Sequence, residues 1–243
     1  MWTLFKKEIG GFFSSLTGYV VIAVFLLLTG LFMWVIPGQF NVIENGYATL
    51  DALFAIAPWV FLFLVPAITM RMISEEKRSG TLDLLFTRPV NELQIILAKF
   101  FASWALVLLS LLPTFIYFWS VSRLGSPPGN MDMGGTWGSY IGLLFLGGIY
   151  AAIGIFSSSL TGNQIVAFII AVFVSFLMYM GFEFISGLAG SGKTGYFISR
   201  IGIGYHYNSI SRGVIDSRDL LYFLGAMGVF IMGTRTVIQS NKW

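Results

Sequence analysis

Apolar residues dominate six long runs of this chain, and polar residues are concentrated between them. Each run is roughly 17 to 25 residues long, the length that a helix needs to cross a hydrocarbon layer about 30 Å thick. Strands of an outer-membrane barrel would instead alternate apolar and polar positions with a period of two. The pattern therefore predicts an all-α integral membrane protein, a single transmembrane domain over residues 1–243, with spans at approximately residues 19–36, 53–70, 97–120, 140–158, 165–184 and 221–238.

The residues ahead of the first run mix apolar and charged side chains. Between Trp2 and Leu16, aromatic and aliphatic residues are interspersed with Lys6, Lys7 and Glu8. A helix with one apolar face and one charged face lies in the plane of a membrane interface. We therefore expect an amphipathic interfacial helix before the first span.

Lysine and arginine are divided unevenly between the two sides of this topology. Six spans place both termini on one side, and that side carries nine of the 14 Lys and Arg residues. Positive residues are enriched in the cytoplasmic loops of membrane proteins. The count predicts a multi-pass membrane protein with both termini in the cytosol.

Composition supports the membrane class and excludes several kinds of chemistry. Hydrophobic residues make up 56% of the chain and charged residues 10%, compared with about 25% charged residues in soluble domains. The chain has no cysteine, which excludes disulfides and thiolate catalysis, and a lone histidine, His206, does not make a metal site. Its basic residues are dispersed rather than clustered, so we expect no nucleic-acid partner.

The largest group of charges between two apolar runs extends from Arg71 to Lys99. Gly80 interrupts a helix there and Pro89 stops the next one, so a short amphipathic helix is expected between them. Its apolar stripe needs a cover, which is either the base of the bundle, lipid headgroups or another protein. Asn91 is the expected N-cap of the third span. This docking segment comprises Glu75, Glu76, Gly80, Thr81, Leu82, Asp83, Leu85, Phe86 and Pro89.

Residues 187–194 read Gly-Leu-Ala-Gly-Ser-Gly-Lys-Thr and match the P-loop pattern. A working P-loop needs a strand before it and a helix after it, so that backbone N–H groups surround the phosphates. The sequence predicts neither element, because the segment follows a membrane span and continues into Tyr196-Phe197-Ile198. We therefore expect a flexible Gly/Ser loop with a solvated Lys193, and no ATPase site in this chain.

Polar residues also cluster before the last span, at Arg212, Gly213, Asp216 and Asp219. Asp216 is placed to cap the last span, and Asp219 lies in its first turn, where a carboxylate favours the helix dipole. His206 lies between two tyrosines, and we expect it to be an interfacial hydrogen-bonding residue.

Two of these regions resemble the ABC-2 type transporter permeases. In that family the second span is followed by Glu, then Gly-Thr-Leu-acidic-Leu-Leu and Pro, as in the docking segment here. Arg212-Gly-Val-Ile-Asp216 and the following Asp-Leu-Leu-Tyr-Phe resemble the region before the last span. The resemblance implies that a separate ABC ATPase, which binds ATP and magnesium, docks on the docking segment. It also implies short re-entrant or interfacial helices at the outer mouth of the pathway, and no catalytic residue, cofactor or metal in this chain.

Within that family, Lys6-Lys7-Glu8-Ile9 and the run from Glu75 to Thr81 are most similar to the gliding-motility branch. The similarity implies a GldA-like ATPase as partner. It also implies either a GldG-like second membrane subunit or a second copy of the permease, with membrane lipid around the assembly.

Two other functions stay open. The chain could be a membrane anchor that relays ATPase work to an envelope motility complex without transporting cargo. It could also be an ion-coupled secondary transporter, because Pro58, Pro66 and Pro113 permit broken helices, although simple kinks are the commoner result of proline. The second alternative is disfavoured because the central parts of the runs lack Asp, Glu, Lys and Arg.

Overall fold

The computed structural model describes residues 1–81, 91–188 and 192–240. Within those ranges every regular element is helical, as the sequence predicts. In chain order the α-helices are α1 (Trp2–Ser14), α2 (Leu16–Gly30), α3 (Val42–Asn45), α4 (Asp51–Thr69), α5 (Ser74–Arg78), α6 (Glu92–Leu111), α7 (Phe115–Leu124), α8 (Met133–Leu160), α9 (Gln164–Phe176), α10 (Phe182–Leu188), α11 (Lys193–Ser199), α12 (Ile203–Ile210) and α13 (Ser217–Ser240).

Three short irregular turns join some of these helices into longer ones. Leu31–Val35 and Leu177–Gly181 are π-helical, and Leu112–Thr114 is a 3-10 turn. Among the described residues, six of the resulting helices are long and apolar enough to cross a membrane, which confirms the predicted number. They are span 1 (Leu16–Val35), span 2 (Asp51–Arg78), span 3 (Glu92–Leu124), span 4 (Met133–Leu160), span 5 (Gln164–Leu188) and span 6 (Ser217–Ser240).

Span 4 is the central helix of the bundle. Its most apolar window is 78% buried, whereas the corresponding windows of spans 5 and 6 are 22% buried. Glycines allow this close packing, because a side chain at Gly147 would collide with Val107 of span 3 and one at Gly154 would collide with Thr69 of span 2. The four neighbouring spans 2, 3, 5 and 6 all pack against it.

The prolines lie inside helices, or in the turn that joins two of them, without ending the spans. Pro58 and Pro66 lie inside α4, which continues past both of them. Pro113 lies in the 3-10 turn between α6 and α7, where its missing N–H group removes one helical hydrogen bond. Span 3 therefore continues through Pro113 rather than stopping.

Contacts between distant residues define the two ends of the bundle. At one end, Arg71 donates to Thr17, Gln239 donates to Glu92 and Lys99 pairs with Glu8. We call this the terminal end, because α1 and the last turn of α13 both lie there. The opposite end contains α3, α11, α12 and the connection between spans 3 and 4. Successive spans therefore run in alternating directions, as an up-and-down bundle requires.

The segment that matches the P-loop pattern follows a helix and not a strand. Gly187 and Leu188 end α10, and Gly192 precedes α11, while residues 189–191 lie outside the described part. The prediction that no helix follows this segment is wrong, because Lys193 begins a helix of seven residues. The expected absence of a preceding strand is confirmed, so the strand-loop-helix arrangement of a P-loop is not formed here.

Candidate functional site

The end of span 2 at the terminal end, where α5 follows α4, is bound to span 4 by one hydroxyl group. Ser158 Oγ accepts hydrogen bonds from the N–H groups of Ile73 (3.0 Å) and Ser74 (2.9 Å), and it donates to the carbonyl of Met70 at 2.8 Å. These groups lie where α4 ends and α5 begins, so they have no partner within a helix. Ser158 therefore satisfies both helix ends and holds them on the last turn of span 4.

Two cations add contacts from this end of span 2, one to span 1 and one to span 4. Arg71 donates to the hydroxyl of Thr17 in span 1 at 2.8 Å. Lys77 donates to the carbonyl of Ser159 in span 4 at 3.2 Å. Each bond joins residues far apart in the chain, so α5 is bound to the base of the bundle and does not project from it.

A buried cation connects this segment with span 3 and with the N-terminal helix. The ammonium of Lys99 lies 2.7 Å from a carboxylate oxygen of Glu76 and 3.1 Å from one of Glu8. The side chain of Lys99 is 3% exposed, whereas those of Glu8 and Glu76 are 18% and 17% exposed. A charge buried to this degree is stable only when it is paired. Lys99 is paired with both carboxylates, and it thereby joins α1, α5 and span 3.

These contacts form one structural unit, which we call the junction and define as Glu8, Arg71, Glu76, Lys99 and Ser158. It joins the start of the docking segment to α1 and to spans 1, 3 and 4. A displacement of α5 therefore acts on four helices together, because each bond of the junction is short and most of it is shielded from solvent.

Beyond α5 the chain turns sharply at Gly80. Its φ of +68° lies in the left-handed region that favours glycine, and the hydroxyls of Ser79 and Thr81 bond each other and the last carbonyls of α5. The predicted break at Gly80 is therefore present. The predicted amphipathic helix stays a prediction, since Leu82, Asp83, Leu85, Phe86 and Pro89 lie outside the described residues.

The start of span 3 has the predicted residue in the predicted place. Asn91 precedes α6 in an extended conformation and its carbonyl accepts from the N–H group of Gln94. Its side chain makes no capping bond to the helical N–H groups of the described residues, so the capping interaction expected from the sequence is not formed.

At the opposite end, α12 is packed into the bundle between spans 2 and 4. Tyr207 donates its hydroxyl to the carbonyl of Phe54 at 2.8 Å, and burial raises the pKa of Tyr207 well above its ordinary value, so that hydroxyl stays protonated. Gly138 faces the carbonyl of Ile210 so closely that a side chain would collide with it. Helix α12 is therefore held on two spans through its backbone and one tyrosine.

Gly213, shortly after the end of α12, is another glycine in the left-handed region. Its φ is +86°, and a Cβ atom there would lie 2.7 Å from the carbonyl carbon of Gly134 in span 4. Ser139 adds a bond from its hydroxyl to the carbonyl of Ser211. Only glycine satisfies both the conformation and the space at this position. Arg212 lies beside it and lines a cavity of about 120 Å³ together with Glu183.

Asp216 and Asp219 have the predicted positions at the start of span 6, and Asp219 has a further partner. Asp216 accepts from the N–H group of Arg218 at 2.9 Å, which is a capping bond. Asp219 lies in the first turn but is buried, and its carboxylate lies 2.6 Å from Nδ1 of His206. The ring of His206 stacks on Tyr222 with 3.8 Å between the ring centroids.

The partners of His206 determine where protons must be. Its Nε2 lies 2.8 Å from the carbonyl of Arg200, and a carbonyl only accepts, so Nε2 carries a hydrogen. The short contact between Nδ1 and Asp219 needs one more hydrogen, on either the ring or the carboxyl group. The pair therefore shares one proton and has no net charge, which suits its burial. The expected hydrogen-bonding role of His206 is confirmed, and the residue is also buried and joins α12 to span 6.

Several of these residues were not predicted as site residues from the sequence. Lys99 is the one charged residue inside the predicted third run, and a charge within an apolar run is a signal of function or structural pairing. Glu8, Ser158 and the pairing of His206 with Asp219 carry no comparable signal, because their partners are distant along the chain.

Comparison with known families assigns this architecture. Residues 39–201 match the model of the ABC-2 family transporter protein, which is about two thirds of the chain. The chain belongs to the ABC-2 transporter family. A comparison with curated proteins finds no match. Four of the five junction residues lie inside the matched range, whereas Glu8 and the region from Arg212 to Asp219 lie outside it.

Membership of the ABC-2 family explains the arrangement of six apolar helices. The chain is a multi-pass membrane protein and the permease subunit of an ABC transporter. Members of the ABC-2 family are membrane subunits that generally have no ATPase site of their own, and the family therefore implies an ATPase subunit as partner. In this ABC-2 permease the junction lies at the terminal end and joins α5 to α1 and to spans 1, 3 and 4.

Proposed function

We propose that this permease couples ATP hydrolysis by a separate subunit to the movement of cargo across a bacterial inner membrane. The ATPase binds ATP and magnesium and docks on the docking segment, Glu75 to Pro89. The observation that supports this proposal is the junction, because it binds the start of that segment to α1 and spans 1, 3 and 4. In this orientation the terminal end lies in the cytosol.

The contacts suggest a route for the motion. When the ATPase displaces α5, the N–H groups held by Ser158 pull on the last turn of span 4, and Glu76 pulls on Lys99 of span 3. Glu8 transfers the same displacement to α1. Packed helices transmit such shifts with little loss, because protein interiors are dense and have low compressibility. The spans therefore move as a unit rather than bending locally.

Within the ABC-2 family we propose the GldF role, the permease of a gliding-motility complex. Lys6-Lys7-Glu8-Ile9 and the run Glu75 to Thr81 support it, and Glu8 and Glu76 are the carboxylates that pair with Lys99. The partners are then a GldA-like ATPase and either a GldG-like membrane subunit or a second copy of this chain.

Cross-linking tests the docking site directly, because the chain has no cysteine. We expect a single cysteine at Thr81, or at Phe86 within the docking segment, to cross-link to a co-expressed ATPase with a yield that changes when nucleotide is added. Two control positions are Ser240, exposed at the terminal end, and Ile43, exposed at the opposite end. Cross-linking that is equal at all positions, or absent from the docking segment, would contradict the assigned site.

Two substitutions address the same proposal without cross-linking. Gly80→Pro should abolish co-purification of the ATPase, because proline fixes φ near −65° and the observed φ is +68°. Leu82→Asp should have the same effect by placing a charge in the expected apolar stripe. Both variants should still insert into the membrane. ATPase binding that survives both changes would refute the docking role, and a transport assay with reconstituted protein separates a permease from a membrane anchor.

A further inference from the structure

An apolar cavity opens on the side of the bundle, between α1 and spans 3 and 4. Its volume is about 550 Å³, within the range of sites that bind small molecules. Aromatic and aliphatic side chains form its walls, mainly Trp2, Phe5, Phe101, Trp104, Leu108 and Leu144. None of these residues belongs to the docking segment, so a role for the cavity does not depend on the proposed ATPase contact.

The indole N–H group of Trp104 in the cavity wall is already hydrogen-bonded within the protein. Trp104 donates its Nε1–H to the carbonyl of Leu144 at 2.7 Å, which joins span 3 to span 4. Gly148, one turn further along span 4, leaves the space that the indole occupies. A water molecule in the cavity would find few groups to bond, and apolar cavities of this kind take apolar ligands.

Lys6 of α1 places a cation next to Trp2 in the cavity wall. Trp2 and Phe5 stack with 5.2 Å between their ring centroids, and the ammonium of Lys6 lies 5.3 Å from the centre of the Trp2 ring. Lys6 is exposed, whereas the neighbouring Glu8 is occupied by Lys99. Among residues 1–81, 91–188 and 192–240, Lys6 has no acidic partner, so its positive charge lies beside an aromatic wall. This combination is typical of protein surfaces at the level of lipid headgroups.

The surface around the cavity faces the surroundings of the bundle. Leu108 lines the cavity and is 44% exposed, and Leu112, one turn later on span 3, is 46% exposed. Both belong to a span, and lipid chains are the surroundings of a span. We infer that the cavity is a binding site for one acyl chain of an anionic phospholipid, with the phosphate beside Lys6.

Selectivity in such a site does not come from the hydrophobic effect, because the bilayer is as apolar as the cavity. The shape of the walls retains the chain, and the charge of Lys6 selects the headgroup. One lysine near an anionic surface changes binding about fivefold. The bound lipid fills the gap under α1 and thereby keeps Glu8 of α1 in position for Lys99.

The experiment uses the full chain in nanodiscs with phosphatidylglycerol that carries a photoreactive diazirine in one acyl chain. After irradiation, mass spectrometry should find adducts concentrated on peptides that contain Trp2 and Phe5 and on those that span Phe101 to Leu108. Unlabelled phosphatidylglycerol should compete for these positions better than phosphatidylcholine.

Two matched pairs of variants make the result specific. Leu108→Trp should remove the adducts by filling the cavity, while Leu112→Trp, at a position of equal exposure outside the cavity, should not. Lys6→Gln should lower the preference for phosphatidylglycerol about fivefold, while Lys7→Gln, one residue along, should lower it less.

Three results would overturn the inference. Adducts spread evenly over exposed residues of spans 5 and 6, such as Ile169 and Val229, would mean that only annular lipid is present. An equal loss of headgroup preference in both lysine variants would mean that Lys6 does not select the lipid. A cysteine at Leu108 that cross-links one chain to another would mean that a second copy of the chain occupies the cavity.

Discussion

Replacement of Lys99 by methionine tests whether the buried ion cluster holds the junction together. Methionine keeps most of the length and the apolar stem of lysine but removes the ammonium group. Glu8 and Glu76 then lose the cation that lies 3.1 and 2.7 Å from their oxygens, and they face each other in a mostly shielded site. We expect the variant to insert normally but to be markedly less stable.

The magnitude follows from the exposure of the three groups. Removing one partner from a buried ion pair costs about 3–5 kcal/mol, because the remaining charge is left uncompensated. Here the carboxylates keep 17–18% of their surface, so water reaches them in part and the lower limit applies. A loss of about 3 kcal/mol corresponds to a decrease of about 6–12 °C in Tm for a chain of this size.

The assay is thermal unfolding in one detergent at a fixed scan rate, because membrane proteins commonly unfold irreversibly. The triple variant Lys99→Met, Glu8→Gln, Glu76→Gln should recover most of the loss, since replacing all the charges together leaves none uncompensated. Lys193→Met, at an exposed position, is the control and should not change Tm. If the triple variant is as unstable as Lys99→Met alone, uncompensated carboxylates are not the cause of the loss and the reasoning about the ion cluster is wrong.

Three further predictions use the same measurement of Tm. Ser158→Ala should lower stability by about 2–4 kcal/mol, because it leaves two buried N–H groups without a partner. The control Ser157→Ala loses only a bond within its own helix and should cost much less, so equal losses would contradict the role of Ser158. Gly213→Ala should be far more damaging than Gly129→Ala, because φ is similar at both glycines (+86° and +85°) but only Gly213 has backbone within 3 Å of the new Cβ atom. Asp219→Asn should be tolerated, because the asparagine amide donates to Nδ1 of a neutral histidine. Asp219→Leu should destabilise the protein by about 1–3 kcal/mol. Similar stability of the two variants would argue against the shared proton.

The fold could be predicted from the sequence because hydropathy reports directly on what crosses a membrane. All six spans were located, but their ends were not, since helices continue beyond the apolar layer. Span 3 was expected over residues 97–120 and extends from Glu92 to Leu124. Its additional residues are partly polar, and a hydropathy pattern ends where they begin. The helix at Lys193 was missed for a similar reason, because seven residues are too few to show a periodic pattern.

The candidate site could be predicted only where its residues are contiguous in the chain. Gly80 was identified because a glycine between charged and apolar residues is a local signal. The contact between Lys99 and Glu8 joins residues 91 positions apart, and no local pattern reports on such a distance. The buried pair His206 and Asp219 was missed because the two residues lie on different helices, separated by a polar connection that suggests exposure.

Spans 2 and 4 are held at both of their ends. Ser158 fixes them together at the terminal end. At the opposite end, Tyr207 of α12 bonds to Phe54 of span 2, and Ile210 of α12 packs on Gly138 of span 4. Span 4 has 28 residues and is therefore about 42 Å long. Thermodynamic linkage requires that any coupling free energy between two binding sites at the ends of this helix be the same in both directions. Suppose that a ligand binds near α12 and changes the affinity of the permease for a subunit at the terminal end. The presence of that subunit must then change the affinity for the ligand by the same factor. For such a ligand, the ratio of its affinity for the isolated permease to its affinity for the assembly measures the coupling.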